Sequence, residues 1–182
     1  MENYFYYPNG NFEKIDNFKY ITLKTILGLS NNSRVILVNT LAHKSNILLY
    51  CPNMSMVSTT GEEFKNIIKN KSSSFDIAIL YCANYSCNAS NNYHKNLNLT
   101  KNIEKKIYHY KGGIYEWAMS SCLMPLKFKI FSIQNKKEAN IGEIRNLVKN
   151  FSHLTDSDKN SDNDIISNSS MIGEKIYSEI FK

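Results

Sequence analysis

Continuous apolar runs alternate with polar segments along the chain, and this alternation is the main structural signal in the sequence. Val35–Val38, Ile77–Tyr81 and Ile107–Tyr110 are short runs rich in β-branched or aromatic residues. Runs of this kind predict strands that are covered on both faces, as in parallel sheets. Ile47–Tyr50 and Phe128–Ile133 predict two further strands.

Helical patterns fill most of the segments between these runs. Phe64, Ile67 and Ile68 follow the polar start at Thr60 with the spacing of an amphipathic helix. Further helices are predicted at Leu23–Leu29, Ala89–Leu99, Ile114–Ser121 and Ile141–Phe151. Strands that alternate with helices predict an α/β fold of three layers, in which a central, mainly parallel sheet has helices on both faces. Ligands of such sheets bind beyond the carboxyl ends of the strands.

Three segments are predicted. Residues 1–18 form an N-terminal arm with a turn at Pro8-Asn9-Gly10, and residues 19–125 form the α/β domain, with loops at Ser30–Ser33 and Lys71–Ser74. Residues 126–182 form a C-terminal extension, in which a linker rich in Ser, Asp and Asn at about 152–170 precedes a short amphipathic helix at Ile172–Phe181. This extension is the expected contact surface for a protein partner.

Composition limits the classes of partner. The chain has 182 residues, of which 42% are hydrophobic, and its net charge of +6 is spread over lysines instead of forming the basic block of a nucleic-acid-binding arm. No apolar run approaches the ~20 residues of a membrane span. We therefore expect neither nucleic acid nor membrane as a partner. The start at Met1–Phe5 lacks the pattern of a secretory signal, so the cysteines are expected to be reduced in the cytoplasm.

The clearest chemical signal lies where the run Ile77–Tyr81 meets Cys82. A polar loop bracketed by Cys82 and Cys87 follows this strand and leads into the helix predicted at Ala89. A cysteine at this position can face backbone N–H groups and the positive end of a helix dipole, which favour the thiolate, the nucleophilic form. We therefore expect Cys82 to be a reactive thiol.

Two motifs together resemble the rhodanese-like domain family. The first runs from Tyr81-Cys82-Ala83-Asn84 to Ser90, and the second is Tyr110-Lys111-Gly112-Gly113-Ile114-Tyr115-Glu116-Trp117, followed by Leu123-Met124-Pro125. The resemblance implies that Cys82 carries sulfane sulfur as a persulfide, taken from a donor such as thiosulfate and passed to a thiol or cyanide acceptor. It further implies that backbone amides cradle the anion, namely those of Ala83, Asn84, Tyr85, Ser86, Cys87 and Asn88. No cofactor is expected.

The chain departs from the family pattern at three positions. Cys87 stands where many members have arginine, Asn39 where an aspartate is common, and Leu41 where an arginine is usual. A Cys-x4-Cys loop variant also occurs in the family, so Cys87 is compatible with membership. No arginine lies in Cys82–Leu99, which argues against the related phosphatase activity.

Several roles stay open for Cys87. It is interpreted as a resolving thiol, as a second sulfur carrier, or as a residue that fills the space of the lost arginine.

Lys111 is either an anion contact or a solvated lysine. Cys51 and Cys122 are expected to be structural, and Trp117 to be a packing anchor. The four histidines, His43, His94, His109 and His153, are expected at the surface, and no metal site is expected.

Three functions follow from these patterns. The first is a rhodanese-like sulfurtransferase that uses a sulfane-sulfur donor and a thiol acceptor. The second is a rhodanese-like domain without catalysis that acts as a binding or regulatory module. The third is a thiol redox sensor that uses Cys82 and Cys87, whose α-carbons would then need to lie about 4.4–6.8 Å apart.

Overall fold

The structure is a computed structural model that describes residues 4–6, 12–14, 18–29, 34–41, 46–52, 56–70, 75–85 and 87–151. The loops predicted at Pro8-Asn9-Gly10, Ser30–Ser33 and Lys71–Ser74 lie outside these residues, as do the linker at 152–170 and the helix at Ile172–Phe181. Of the N-terminal arm, strands β1 (Tyr4–Tyr6) and β2 (Phe12–Lys14) pair in antiparallel fashion.

A parallel sheet of four strands forms the centre of the domain. Its strands are β3 (Val35–Asn39), β5 (Met56–Thr60), β6 (Ile77–Tyr81) and β7 (Ile107–Tyr110), in the order β5-β3-β6-β7. The registers align Asn39 with Tyr81 and Tyr81 with Tyr110, so these strands end together at one edge. Tyr20 adds a parallel bridge to His109 on the outer side of β7.

Alternate residues of the central strands enter two separate cores. Leu37, Ile79 and Tyr81 point into one core, whereas Val38 and Leu80 point into the other. The first core is covered by α1 (Leu23–Gly28), α5 (Gly113–Leu123) and α6 (Ile141–Phe151), and the second by α2 (Gly61–Lys69), α3 (Ala89–Lys95) and α4 (Lys101–Glu104). The fold is therefore α/β with a parallel central sheet that has helices on both faces.

Sequence signals explain where helix α2 begins. The Thr60 hydroxyl accepts a hydrogen bond from the amide of Glu63, and the Glu63 carboxylate accepts one from the amide of Thr60 at 3.1 Å. This reciprocal capping box satisfies two amides that the first turn leaves without helical partners. Phe64 is then buried in the second core, as its spacing predicts.

A second sheet joins the chain on both sides of residue 125. It contains β4 (Ile47–Tyr50), β8 (Lys129–Ser132) and β9 (Lys137–Glu138), all antiparallel and in the order β4-β8-β9. Phe128, Ile130 and Ile144 belong to the same buried cluster as Leu37 and Trp117. The part of the C-terminal extension up to residue 151 thus shares a core with the central sheet.

The structure differs from the predicted elements at β5, in the segment after Ala89 and at β9 (Lys137–Glu138), a two-residue strand that no apolar run indicates. Strand β5 lies at an edge of the sheet, and its sequence from Met56 to Thr60 contains hydroxyl residues where an apolar run would have indicated a strand. The helix predicted at Ala89–Leu99 ends at Lys95, and α4 begins after a new cap at Thr100. The strands predicted at Val35–Val38, Ile77–Tyr81 and Ile107–Tyr110 and the helix predicted at Ile141–Phe151 are confirmed.

Candidate functional site

Cys82 lies directly after β6, at the edge where the central strands end. Its carbonyl oxygen accepts a hydrogen bond from the amide of Ile114 at 3.0 Å, and the carbonyl of Ala83 accepts one from Tyr115 at 3.0 Å. The first turn of α5 therefore holds the backbone of the cysteine loop. The two motifs, far apart in sequence, form one contact.

The glycine pair makes this contact sterically feasible. Gly113 has a φ of 60°, and a β-carbon at this position would overlap the carbonyl oxygen of Cys82. A β-carbon on Gly112 would lie 2.6 Å from Cδ of Glu116. Glu116 is buried and accepts a hydrogen bond from the Tyr110 hydroxyl at 2.8 Å. Both glycines are therefore required by close packing around the turn.

Cys82 is a buried thiol. Its side chain is 0% exposed, and its Sγ donates to the carbonyl oxygen of Cys87 at 3.2 Å. Its hydrogen bond to the Cys87 side chain and its burial raise the pKa of Cys82 well above the usual range, although the amide of Ser90 acts in the opposite direction. Cys82 is consequently protonated at neutral pH.

Cys87 is the ionised partner of this pair. The hydrogen bond from Cys82, together with the amides of Ala83 and Ala89, lowers the pKa of Cys87 to about 5 against the opposing effect of burial. Its side chain is half-buried, whereas that of Cys82 is sealed. The sequence predicts the thiolate on Cys82, whereas burial and the neighbouring Cys87 raise the pKa of Cys82 and the same contact lowers the pKa of Cys87, so the charge is favoured on Cys87.

Lys111 supplies a positive charge beside this thiolate. Its side chain is only 3% exposed, and Nζ donates to the carbonyl oxygen of Cys87 at 2.7 Å. Burial lowers the pKa of Lys111, and the negative charge of the cysteine pair partly offsets this effect. The ammonium group also helps to lower the pKa of Cys87. Lys111 thus lies at the site, as an anion contact should, and is not a solvated surface lysine.

The loop amides are arranged differently from the predicted cradle. The amide of Ala83 faces the Cys87 sulfur, and the amide of Cys87 donates to the carbonyl of Asn84 at 3.1 Å. The amide that faces the Cys82 sulfur belongs to Ser90, beyond the predicted set. Within that set, Tyr85 is buried in the first core, Asn88 holds the N-cap position of α3 without a side-chain capping bond, and Ser86 lies outside the described residues.

Two buried histidines lie behind Cys82, and the prediction that they are at the surface is wrong. His109 is 0% exposed, and its Nε2 lies 2.8 Å from Nδ1 of the buried His94. Burial lowers the pKa of His109 to about 3, so its ring is neutral. The position of His109 inside the predicted strand Ile107–Tyr110 is the sequence signal that indicates burial.

Ser90 connects the histidines to the thiol. Its Oγ lies 3.4 Å from Nδ1 of His109 and 3.8 Å from Sγ of Cys82. At the other end, Nε2 of His94 lies 2.8 Å from a carboxylate oxygen of Glu104. Polar atoms therefore follow one another from Cys82 to a surface carboxylate, and the last pair, Nε2 of His94 and Glu104, is close without forming a hydrogen bond. Among the described residues, no three His, Cys, Asp or Glu side chains are arranged to hold a metal ion.

The remaining predicted positions have structural contacts. Asn39 donates to the carbonyl of Ile47 at 2.6 Å and accepts from the amide of Leu41 at 2.8 Å, so it fixes the chain after β3. Cys51 donates to the carbonyl of Lys127 at 2.9 Å, and Cys122 is exposed on α5. All four cysteines are described, and none of them forms a disulfide.

Comparison with protein-family models, with curated proteins and with solved structures finds no match to this chain. No helix in the described ranges combines the length and the apolar composition needed to cross a bilayer. The site must therefore be interpreted from its own geometry.

Proposed function

We propose that this chain is a rhodanese-like sulfurtransferase that acts through the Cys82–Cys87 pair. The observation that carries the proposal is the geometry around the half-buried Cys87: the thiol of Cys82 and the ammonium group of Lys111 both donate to its carbonyl oxygen, at 3.2 Å and 2.7 Å. These neighbours lower the pKa of Cys87 to about 5. A thiolate with a pKa well below neutral is the form that attacks sulfane sulfur. The direct contact between the Cys82 loop and the Gly112-Gly113 turn also supports a rhodanese-like relationship, because these are the motifs that carry the resemblance.

The chemistry assigns the first attack to Cys87. Its thiolate attacks the outer sulfur of thiosulfate, the S–S bond breaks, and sulfite leaves with the electron pair. Cys87 then carries a persulfide anion, and the total charge is unchanged. An acceptor thiolate or cyanide attacks the terminal sulfur, so that Cys87 leaves as thiolate and the acceptor becomes a persulfide or thiocyanate.

In this proposal Cys82 assists Cys87 and is not the first sulfur carrier. As the first sulfur carrier it would need to be exposed and ionised, but it is sealed and its pKa is raised. Its contact with the Cys87 side chain lowers the pKa of Cys87 and so favours the charge from which the reaction begins. Lys111 and the amide of Ala83 stabilise the same charge and attract an anionic donor such as thiosulfate.

Mass spectrometry of the treated protein tests the proposal. We expect incubation with thiosulfate or a low-molecular-weight persulfide to add one sulfur atom, and peptide mapping to place it on Cys87. The gain should disappear in Cys87→Ser and persist in Cys122→Ser, which removes an exposed cysteine of α5. No gain with either donor would reject the sulfurtransferase proposal and leave the non-catalytic binding module as the better interpretation.

Dithiol redox chemistry is a second candidate, and the proximity of the two cysteines, in which the Cys82 thiol donates to the Cys87 carbonyl oxygen at 3.2 Å, favours it. The Cys87 thiolate would attack a disulfide R–S–S–R and release one RS⁻ group. Cys82 would then lose its proton and attack the Cys87 sulfur, which releases the second RS⁻ group. A Cys82–Cys87 disulfide found by peptide mapping after treatment with glutathione disulfide would support this function, and stable glutathionylation without this disulfide would contradict it.

A further inference from the structure

Cys82 is the least accessible titratable group of the site, and its thiol hydrogen has to leave before its sulfur can react. Its side chain is 0% exposed, so bulk water does not reach the sulfur directly. The described surroundings of the sulfur contain Cys87, Lys111 and Ser90 as polar neighbours. Of these, Ser90 is the one that continues into a chain of polar side chains.

A relay along this chain requires one set of hydrogen-bond directions. Nε2 of His94 lies 2.8 Å from Glu104 without forming a hydrogen bond to it, and the relay needs a neutral His94 ring with its hydrogen on this nitrogen, so that Nδ1 accepts. His109 must then donate from Nε2 and accept at Nδ1. The Ser90 hydroxyl donates to that Nδ1, which leaves a lone pair of its oxygen 3.8 Å from Sγ of Cys82. The thiol hydrogen, which donates to the carbonyl oxygen of Cys87, must turn toward this lone pair before transfer.

Packing and burial keep the two rings in this arrangement. The rings of His94 and His109 are stacked with centroids 5.0 Å apart, and the ring of Phe18 lies 4.7 Å from each. The centroid of the Tyr20 ring lies 5.7 Å from that of the His109 ring. Since neutral rings tolerate burial and charged rings do not, the arrangement favours proton movement without a stored charge.

We infer that Ser90, His109, His94 and Glu104 form a proton relay that connects the buried thiol of Cys82 to the protein surface. In one transfer, the thiol proton moves to Ser90, the hydroxyl proton to Nδ1 of His109, and the proton on Nε2 of His109 to Nδ1 of His94. The proton on Nε2 of His94 passes to Glu104, whose side chain is about half exposed and releases it to water. The net change is one thiolate on Cys82 and one proton in solvent, and both rings exchange tautomers without becoming charged.

Two geometric features define how the relay must work. Nε2 of His94 is buried and its N–H direction is off the line to Glu104, so the carboxylate must rotate before it accepts the proton. The Ser90 hydroxyl also has Oδ1 of Asn91 at 3.4 Å as an alternative acceptor. Transfer therefore requires the hydroxyl to point toward His109 at the time when Cys82 reacts.

The charged groups around the relay have defined positions. Lys111 lies on the thiol side, where its charge disfavours a charged His109. The ammonium groups of Lys95 and Lys19 lie over the rings of Phe18 and Tyr108, respectively. Lys95 is exposed and Lys19 is partly exposed, so Lys111 is the buried positive charge of the three. Because Lys111 lies at the thiol end and the Glu104 carboxylate at the outer end, these two charges direct a proton outward.

Stepwise reaction with dithiobis(nitrobenzoate) tests the relay, which rests on the proposed thiol chemistry of the pair. The parent protein carries Cys51→Ser and Cys122→Ser, so that Cys82 and Cys87 are its remaining cysteines. The first release of nitrothiobenzoate reports attack by the Cys87 thiolate. The second release reports attack by Cys82 on the mixed disulfide, which requires the loss of its proton.

Ser90→Ala should leave the first release unchanged and slow the second by about 100-fold, the usual scale of general acid–base assistance. A solvent deuterium isotope effect on the second release should be present in the parent and lost in this variant. Ser120→Ala is the matched control, because Ser120 is equally buried but donates to the carbonyl of Glu116, outside the relay. Glu104→Gln keeps the hydrogen-bond acceptor and removes the proton acceptor, and should also slow the second release alone.

Each outcome decides between the two proposals. An unchanged second release in both Ser90→Ala and Glu104→Gln overturns the relay and leaves the sulfurtransferase proposal intact. A missing first release at neutral pH in the parent counts against the Cys87 thiolate. The ring ¹⁵N chemical shifts of His94 and His109 test the relay independently: hydrogen on the same type of nitrogen in both neutral rings supports it, and a charged ring or opposite tautomers overturns it.

Discussion

The α-carbon of Gly113 lies against the carbonyl oxygen of Cys82, and the backbone of Gly113 has a φ of 60°. This contact places the first amides of α5 on the backbone of the cysteine loop, where Ile114 donates to Cys82 at 3.0 Å. The position of the reactive pair at the end of β6 therefore depends on a glycine more than 30 positions later in the sequence. Two motifs that are separate in sequence act as one structural unit.

Gly113→Ala should destabilise the fold, because a β-carbon would overlap the Cys82 oxygen and a side chain disfavours positive φ. We expect the free energy of unfolding to fall by at least ~2 kcal/mol, as measured by urea denaturation. Gly28→Ala is the matched control, because no atom lies within 4 Å of a β-carbon there. This variant should leave the free energy of unfolding unchanged or raise it by about 0.5–1 kcal/mol, because alanine has a higher helix propensity than glycine. Equal urea midpoints for the two variants would contradict the steric argument.

Much of the position of the site could be predicted from the sequence. The apolar run Ile77–Tyr81 predicts the buried strand, and Cys82 lies at its carboxyl end as expected. The ionisation of the two thiols could not be predicted, because it depends on groups that meet only in three dimensions. The Cys82 side chain and the ammonium group of Lys111, which directly follows β7, both lower the pKa of Cys87.

The buried histidines show a second limit of prediction from the sequence. Periodicity places His109 in a strand, but burial of the imidazole requires partners that sequence spacing does not identify. Those partners are His94, from α3, and Phe18, from the segment before α1.

The strand β5 could not be identified from the sequence because it is an edge strand, and Val57 is 59% exposed on it. An apolar run is therefore not required there.

Alkylation of Cys87 by iodoacetamide should be nearly independent of pH from 7 to 8 and should fall as the pH drops through about 5, where the thiolate is protonated. The measurement is the pH profile of the rate, followed by peptide mass spectrometry. Cys82→Ala should move the midpoint upward, because the largest cause of the lowered pKa is the hydrogen bond from Cys82. Cys82→Ser should move it less, since a hydroxyl still donates. A profile with its midpoint near the usual value of Cys, about 8.5, in the unmodified chain would contradict the assigned thiolate.

Acid should destabilise the protein through His109. The pKa of His109 is about 3 in the folded state, whereas the usual pKa of histidine is 6.5, so the unfolded chain binds more protons between these values. Stability from this group is complete above pH 6.5 and is lost as the pH falls toward 3. By pH 5, we expect a loss of about 2 kcal/mol in the free energy of unfolding.

A comparison with His109→Gln isolates this effect, because glutamine does not titrate. The variant is expected to be less stable at every pH, since it disturbs the contacts with His94 and Ser90. The decisive quantity is the change in unfolding free energy between pH 7 and pH 5, which should be smaller in the variant by about 2 kcal/mol. The thiolate of Cys87 contributes acid sensitivity in both proteins and cancels in this comparison. An identical pH dependence in both proteins would show that the His109 ring does not stay neutral.

Phe128→Ala should destabilise the central domain although Phe128 follows the predicted boundary at residue 125. Its side chain is fully buried, and its ring lies 5.1 Å from that of Trp117, edge to face. The indole of Trp117 also donates to the carbonyl of Lys129 at 2.9 Å. Because the segment after residue 125 completes the core around Trp117, we expect a loss of about 3–5 kcal/mol in the free energy of unfolding.

Leu126→Ala is the matched control, since Leu126 is 81% exposed and its removal should change stability by no more than about 0.5 kcal/mol. Urea unfolding can be followed by fluorescence of Trp117, the single tryptophan, and by far-ultraviolet circular dichroism. If residues 126–151 are part of the domain, the two signals change at the same urea concentration, and both midpoints move together in Phe128→Ala. An early fluorescence transition that leaves the circular dichroism signal in place would show that this segment unfolds separately from the sheet that holds Cys82 and Cys87.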